Sequence, residues 1–468
     1  MRPRLAALLV ALLALAPALP CAGQAEQAPL GLDDLLQRAL EHDGRVLAAR
    51  AQLDAYRAHY DLAWWSWFPV IQLQGLFGGP VGERKLKCPE RDDCVELNKN
   101  WRPGSFDFGQ MSFAVGGKLE AAVPLYTFGK ISEAKRAARA GVQAGEADIR
   151  RARQEVALEV RRAWYGLQLA RCSASVLDDG VAKIEDAEKK LLKMLEELNE
   201  EVTDRDLYKL RYYAAEVKKR LAQARQGQRI AEDALRFLTG EPALGAGIAL
   251  AEVELELPAD SRRSRQDWLD RAFAHRPELE MLESALEASR AAVEVEKSMF
   301  YPDFFLAGFL QGSYSPAHDY IANPLLNNGY TNYDAGLTLG FRVTFDLPQK
   351  LARLDKARAE LRKLEAQAGQ AERAVGLELD QGLADYEAAL ARAALMKKGH
   401  RSAKTWMRAN LMSYGVGLTN TKDLLDSVAA YAQSRIELAM AVHDAVLSRD
   451  RLLAIAGEDL GRSAAPGE

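Results

Sequence analysis

Two aspartates, Asp423 and Asp426, stand three residues apart directly after a glycine-containing interruption of a long helical pattern. At this spacing both carboxylates lie on one face of a helix, where they could attract cations. Acidic residues are also common in the first turn of a helix, because the helix dipole favours them there, and Thr419, Asn420 or Thr421 could serve as the N-cap. The residues alone therefore allow two interpretations, a carboxylate site or an ordinary helix start.

Patterns typical of catalysis or nucleic acid binding are missing from the sequence. The six histidines have no metal-ligand spacing, and there is no HExxH, GxSxG or phosphate-binding glycine loop. We therefore predict that the protein is not an enzyme and has no cofactor or metal site. The net charge of −4 comes from finely mixed charges and leaves no basic surface, which excludes nucleic acid as a partner.

The first residues have the pattern of a secretory signal peptide. Arg2 and Arg4 precede an apolar run that ends at Leu19, and small residues follow. This order predicts a signal peptide over residues 1–22 and export of the mature chain. No later stretch reaches the roughly 18 to 20 apolar residues of a transmembrane helix, so we expect strands or surface helices to make any membrane contact.

Three cysteines raise questions that follow from export. Cys88 and Cys94 bracket a polar loop, KCPERDDC, and in an exported protein this spacing predicts a disulfide, with two free thiols as the alternative. Cys21 follows the apolar run as a lipid attachment site would, but Pro20 precedes it where a small residue is usual. Lipidation of Cys21 therefore stays open.

The chain is an internal duplication. Residues 36–75 align without a gap with residues 269–308, and near the end of each copy Asp206 aligns with Asp423. Each copy has the pattern helix, strand, loop, strand, long helix, break, helix. We predict a first repeat over residues 23–240, an equatorial linker over 241–266, a second repeat over 267–457 and a tail over 458–468.

The predicted helices have two lengths. Long helices are predicted over residues 130–199 and 350–413, and short ones over 32–66, 206–240, 267–299 and 423–457. Two short helices end to end match one long helix, which at 1.5 Å per residue is roughly 105 Å in the first copy. A helix of that length exceeds a single globular core, so we expect side-by-side packing as in coiled coils.

The strand segments alternate with a period of two residues. Leu73 and Phe77 fall on one face and Gln74 on the other, and Val115 and Lys118 are divided in the same way. An aromatic cluster lies where helix meets strand, as at a membrane interface, and comprises Trp64, Trp65, Trp67, Phe68 and, in the second copy, Tyr301. The pattern favours strands facing lipid, with a half-buried soluble hairpin as the alternative.

Four predicted strands are too few to close a barrel. A sheet edge in lipid leaves backbone groups unpaired at several kcal/mol each, and single-chain barrels need about eight strands. We therefore predict that several chains share one barrel and that their long helices continue it as a tube.

These features resemble the outer membrane factor (TolC-type) family of efflux and secretion channels over about residues 32–457. The resemblance rests on Phe68-Pro69 and Tyr301-Pro302 at the first strands, PLYTFGK at 124–130 and HRPEL at 275–279. None of these motifs is specific alone, but their order, present twice, is specific.

The resemblance implies a mainly α fold with β-strands. Three chains would give four strands each to a shared 12-stranded outer-membrane β-barrel, which continues as a long periplasmic α-helical tunnel. It implies a homotrimer in the outer membrane of a Gram-negative bacterium, in contact with outer membrane lipid. Its partners would be a periplasmic adaptor (membrane fusion) protein and an inner-membrane RND, ABC or MFS transporter, so the protein would be the passive exit duct of a tripartite efflux pump or type I secretion system.

The resemblance also assigns roles to residues near the helical break. The family's adaptor-docking hairpin tip corresponds to Gly415, Val416, Gly417 and Leu418, and its gate or constriction to Tyr414, Asp423, Asp426 and, by the repeat, Asp206. In the family the acids ring the closed tunnel mouth, where such rings select cations. The tyrosine hydroxyl helps to keep that mouth closed.

Three positions depart from the family pattern. The first-copy tip, residues 199–206, lacks the glycine motif, so docking of an adaptor there stays open. Thr419 stands where some members have an arginine in the gate, and Pro348 replaces the usual glycine pair after the fourth strand. A soluble periplasmic coiled-coil adaptor or scaffold is the alternative function, and the cargo cannot be named from the sequence.

Overall fold

The computed structural model describes residues 29–82, 111–196, 204–242, 244, 250–251, 256–258, 263–316, 331–415 and 421–461. The predicted signal peptide, Cys21 and the predicted Cys88–Cys94 disulfide lie outside these residues. The described helices are α1 (Leu32–His42), α2 (Gly44–Trp64), α3 (Lys130–Glu196), α4 (Asp204–Thr239), α5 (Arg265–His275), α6 (Pro277–Ser298), α7 (Leu347–Gly415) and α8 (Thr421–Ile455). The described strands are β1 (Val70–Gly82), β2 (Met111–Tyr126), β3 (Asp303–Tyr314) and β4 (Asn332–Arg342).

The two long helices have the predicted extent. α3 has 67 residues and α7 has 69, and their ends lie within three residues of the predicted ones. Neither these helices nor the other described ones contain a window apolar enough for a membrane span.

The prediction of one unbroken short helix at the start of each repeat is wrong. The first is broken at Asp43, where the backbone is extended, and the second at Arg276. Arg276 precedes Pro277, whose ring disfavours the helical conformation of the preceding residue and suits the first position of α6. Asp43 begins the next helix instead, because its Oδ1 accepts from the backbone N–H of Arg45 at 2.8 Å.

The strands form one antiparallel sheet in the order β1-β2-β3-β4 within the described residues. β2 in the first repeat pairs with β3 in the second, so the duplicated halves are joined through this pair. The register aligns Leu73, Leu119 and Leu310 across three strands. Because paired residues share a face, the predicted division into an apolar and a polar face is confirmed.

The chain divides into two compact units. The helical unit comprises Met1–Ala48, Ile149–Arg276 and Ala374–Glu468, and the sheet unit comprises Ala49–Asp148 and Pro277–Arg373.

One core cluster of the helical unit is built from three helices. Trp268 of α5, only 1% exposed, packs with Leu379 and Tyr386 of α7 and with Leu452 and Ala456, at the end of α8. Burial of such large side chains stabilises the unit by about 1.5 to 3 kcal/mol each.

The duplication is visible in the contacts of the helical unit. Arg38 Nη1 lies 3.2 Å from Glu241 Oε2, and the repeat-related Arg271 Nη1 lies 2.7 Å from Glu458 Oε1. Since the two residues of each pair are far apart in sequence, each ion pair fastens the end of a repeat to its beginning.

A buried polar cluster joins α3 to α8 in the helical unit. The Arg161 guanidinium donates twice to the Leu460 carbonyl, at 3.0 and 3.1 Å, and lies 3.3 Å from Asp450 Oδ2. Burial raises the pKa of Asp450, and Arg161 acts against this shift. Burial is also the main cause that raises the pKa of Tyr165 to about 12, followed by the charge of Asp450. The cluster anchors the last described residues to α3.

Gly457 allows the chain to approach the break between α5 and α6. Its φ is +77°, and a Cβ there would lie 2.6 Å from the backbone carbon of His275. The repeat-related Gly240, with φ +68°, has only the His42 Cβ at 3.6 Å.

We therefore predict that Gly457→Ala destabilises the protein more than Gly240→Ala. Both variants place a side chain in the left-handed region at about 1 to 2 kcal/mol, but only Gly457→Ala adds a clash with backbone. Thermal unfolding followed by circular dichroism in detergent measures the difference. Equal loss of stability in the two variants would contradict this account of the contact.

Candidate functional site

The predicted docking tip lies between α7 and α8. Tyr414 and Gly415 form the last turn of α7, and α8 begins at Thr421. Val416, Gly417 and Leu418 fall outside the described residues. The predicted break in the helical pattern therefore coincides with the boundary between two helices.

Asp423 and Asp426 both lie in the first two turns of α8, and both are exposed. Asn410 of α7 donates from Nδ2 to the backbone carbonyl of Asp423 at 2.9 Å. The neighbouring Ser427 is fully buried and donates to the Leu424 carbonyl at 2.8 Å. The two acids thus lie on the solvent side of a helix whose other side packs inward.

Asp206 lies in the first turn of α4, the position in the first repeat that corresponds to Asp423. Its backbone is helical, as predicted. The structure thus gives both repeats an acid at the start of the returning helix.

The hairpin of α7 and α8 is fastened by small residues and by one histidine. Ala389, Ala393 and Ala445 form a buried cluster. Nearer the tip, His400 Nδ1 lies 3.1 Å from Ser434 Oγ, and the ring stacks on Tyr431 with centroids 5.2 Å apart. The sequence analysis did not identify His400, because a single histidine in a helix gives no recognisable spacing.

His400 is held in its neutral form. Burial lowers its pKa, and the positive charges of Lys404 and Arg435 lower it further. Protonation would place a third positive charge beside these two at the α7–α8 contact.

The hairpin of α3 and α4 combines an apolar cluster with ion pairs. Ala174 and Leu177 of α3 pack against Leu221 of α4.

Ion pairs also bridge the two helices within the described residues: Glu188 to Arg211 at 2.7 Å, Glu185 to Lys218 at 2.9 Å and Asp178 to Arg225 at 2.8 Å. These side chains are largely exposed, so each pair contributes only about 0 to 1 kcal/mol and weakens with salt.

The aromatic residues predicted for the membrane interface cluster in the sheet unit. Trp65 stacks on Trp67 with centroids 6.1 Å apart, and Phe68 meets both rings edge-on at 6.0 Å. Lys135 Nζ lies 4.5 Å from the centroid of the Trp64 ring. All four rings are about half exposed, which suits side chains that face a boundary outside the chain.

Tyr301 belongs to a second aromatic group that the sequence analysis did not assemble. Its ring stacks on Phe128 at 5.0 Å, and Phe128 meets Tyr126 edge-on at 4.6 Å. Phe128 and Gly129 both have positive φ, 49° and 97°, at the turn from β2 into α3. Stacking on Tyr301 holds Phe128 in a conformation that costs about 1 to 2 kcal/mol.

The equivalent turn from β4 into α7 is built without positive φ among its described residues. Pro348 lies in the first turn of α7, where a missing N–H costs little. Lys350 donates to the Thr344 carbonyl at 2.6 Å, and Arg353 lies 2.6 Å from Asp346. At this turn, Pro348 and the charged contacts therefore take the place of the flexible glycine pair that is usual in the family.

The apolar face of the sheet is open. Leu73 is 80% exposed and Leu337 is 81% exposed, as are many of their neighbours to a similar extent. A contiguous apolar surface of this kind marks a site for lipid or for a partner. At the sheet edges, β1 and β4 each pair on one side only within the described residues.

The chain matches a known protein family over most of its length. A family model described as outer membrane efflux protein matches residues 35–241 and 268–458. The comparison with curated protein sequences gave no match.

Solved structures of outer-membrane channels are similar in fold. The outer-membrane channel OprN is 19% identical over 92% of this chain and 91% of its own, with a TM-score of 0.70. VceC from Vibrio cholerae is 17% identical over 92% and 96%, with a TM-score of 0.71. MtrE from Neisseria gonorrhoeae, in its open state, is 18% identical over 92% and 89%, with a TM-score of 0.72.

We predict that mild acid weakens the α7–α8 hairpin through His400. Because the folded state lowers the pKa of His400, the unfolded chain binds the proton more readily, so stability is lost as the pH falls through the ordinary histidine range. Thermal unfolding at about pH 7.5 and about pH 5.5 measures this loss. The His400→Phe variant, which keeps a ring against Tyr431, should lose less stability between the two pH values.

His443 of α8 supplies the matched control. It lies 3.2 Å from Asp444, its neighbour in the same helix. His443→Phe should keep the full pH-dependent loss. If His400→Phe keeps that loss as well, the proposed role of His400 is wrong.

Proposed function

The chain belongs to the outer membrane efflux protein family, and from this we propose that it conducts substrates passively through a duct gated at the α7–α8 tip. The protein is an outer membrane exit duct of efflux pumps, located in the Gram-negative outer membrane with a large periplasmic helical part. The alternative of a soluble adaptor is wrong. The family is one of channels and not of enzymes.

The fold class predicted from the sequence is confirmed: each chain gives four strands to a trimeric 12-stranded barrel, which helices continue as a tunnel. The observation that carries the function is the sheet, with its exposed apolar face and its one-sided edge strands. In hydrocarbon each unpaired backbone group costs several kcal/mol. Pairing β1 of one chain with β4 of the next removes that cost and encloses a conduit.

Trimeric assembly and pump partners in general follow from the family. We propose that the specific partners are a periplasmic adaptor and an inner-membrane transporter of the RND, ABC or MFS class. Service in type I secretion is part of the same proposal. We also propose the repeat boundaries of the sequence analysis, which the matched Arg38–Glu241 and Arg271–Glu458 ion pairs support.

We propose that Asp423 and Asp426, with Asp206 and Tyr414, form the gate. Three chains would bring three copies of each acid to one constriction, and rings of carboxylates bind and select cations. The side chains of Asp423 and Asp426 are exposed on α8, which supports this role because a gate residue must be in contact with the solvent. The hydrogen bond from Asn410 to the Asp423 backbone carbonyl fixes the position of the two acids along the axis of the hairpin.

Reconstituted channels test the duct and the gate together. The wild-type protein in planar bilayers should conduct ions and be blocked by divalent cations. Asp423→Asn with Asp426→Asn should raise the blocking concentration by about tenfold or more, because the variant loses the Coulomb attraction of these carboxylates for the cation. Asp444→Asn, an exposed acid further along α8, should leave the block unchanged.

The outcomes separate the two claims. Absence of any conductance from correctly assembled trimers would contradict the duct. Conductance with unchanged divalent block in the double variant would remove these acids from the gate.

We propose that Gly415, Val416, Gly417 and Leu418 dock the adaptor. Gly417→Trp should abolish export while trimers still assemble, because a bulky ring would obstruct contact at the tip. Gly399→Trp, the same change in an open part of α7, is the control. Substrate accumulation in cells measures export, and full export by Gly417→Trp would move docking to another surface.

A further inference from the structure

The two faces of the sheet differ in burial as well as in chemistry. In β2 and β3 the side chains of the polar face are half-buried, whereas the large apolar side chains of the opposite face are exposed. In hydrocarbon the apolar face turns to lipid, so a barrel closed from this sheet has its polar face inside, on its concave side.

One register row of the concave face is polar on every strand. It pairs Gln74 of β1 with Lys118, Lys118 with Gln311 of β3, and Gln311 with Asp334 of β4. Gln311 Nε2 donates to Asp334 Oδ2 at 3.4 Å. Lys118 Nζ also reaches one row along the same strand, to Glu120 Oε1 at 2.5 Å. We call these five residues the lumen belt.

The lumen belt carries net negative charge. Lys118 is positive while Glu120 and Asp334 are negative, so each chain contributes one net negative charge. The side chains of Lys118 and Glu120 are 40% and 41% exposed, and Asp334 is exposed as well. All three charges therefore face the lumen and stay in contact with water.

Uncharged rows separate the lumen belt from other charges of the concave face. Glu120 lies opposite Phe309 in the next row toward the helices, and the uncharged rows begin after it, with Ala307 opposite Thr338. The next charge on β4 is Arg342, eight residues from Asp334, or roughly 27 Å at about 3.4 Å per residue. That spacing exceeds two Debye lengths, each about 10 Å at 0.1 M salt. The belt therefore acts on ions as a ring of its own.

We propose that the lumen belt is a cation-preferring filter in the barrel, separate from the acids at the α7–α8 tip. The inference rests on the proposed function, because only an assembled barrel turns the row into a ring. A ring of net negative charge raises the local concentration of small cations and lowers that of anions. Cationic solutes therefore pass the barrel more readily than anionic ones of the same size.

Charge changes of opposite sign within the belt test this proposal. The measurement is the K⁺ to Cl⁻ permeability ratio of reconstituted full-length channels, obtained from reversal potentials in a KCl gradient near 0.1 M, where the Debye length is about 10 Å. Glu120→Gln with Asp334→Asn should lower the ratio by about threefold or more, from the Coulomb energy of the removed charges. Lys118→Gln should raise the ratio.

Two controls make the result specific. Thr338→Val lies one row beyond Glu120 on the same face and changes no charge, so it should leave the ratio unchanged. Both shifts should persist in channels that also carry Asp423→Asn and Asp426→Asn, and both should disappear at about 1 M salt, where the Debye length is about 3 Å.

The outcomes distinguish this proposal from the proposed function. Channels that conduct but show the same permeability ratio in the wild type and all belt variants would overturn the filter and leave the duct intact. Shifts of the same sign for removal of the acids and of the lysine would overturn it as well. Trimers that fail to conduct at all would instead contradict the duct.

Discussion

Backbone hydrogen bonding in hydrocarbon is the constraint on which the rest of this protein depends. A sheet with two one-sided edges and an exposed apolar face is unstable as an isolated object in lipid, since each unpaired N–H or C=O costs several kcal/mol. Pairing β1 with β4 of another chain satisfies the edges and makes assembly obligatory. The conduit is therefore a consequence of satisfying the backbone, and it needs no pocket within a single chain.

Closure of the barrel gives the two faces of the period-two pattern different environments. Leu73 and Leu337 spread outward on the convex side, while Lys118 and Gln311 lie on the concave side. Gly336 and Gly340 of β4 have no side chains, and this leaves room for the rings of Phe309 and Phe305 to lie across the strand.

Duplication supplies two hairpins of the same design with different fastenings. An apolar cluster and exposed ion pairs join α3 to α4, and small residues with His400 join α7 to α8. Both duplicated ends are held in the same way, by Arg38 with Glu241 and by Arg271 with Glu458. Divergence is therefore concentrated toward the tips, where two copies of a gene can acquire different roles while the repeat-closing contacts stay alike.

The sequence by itself determined the repeats, the long helices and the two faces of the strands, because periodicity and spacing are local properties that need no partner. It missed the helix breaks at Asp43 and Arg276, since a cap and a residue before proline interrupt a helix without disturbing its apolar pattern. The tertiary structure alone decided the register that sets Lys118 beside Gln311, the stacking of Phe128 on Tyr301 and the position of His400 against Tyr431. Each of these depends on residues brought together from distant parts of the chain, and no local pattern encodes such a distance.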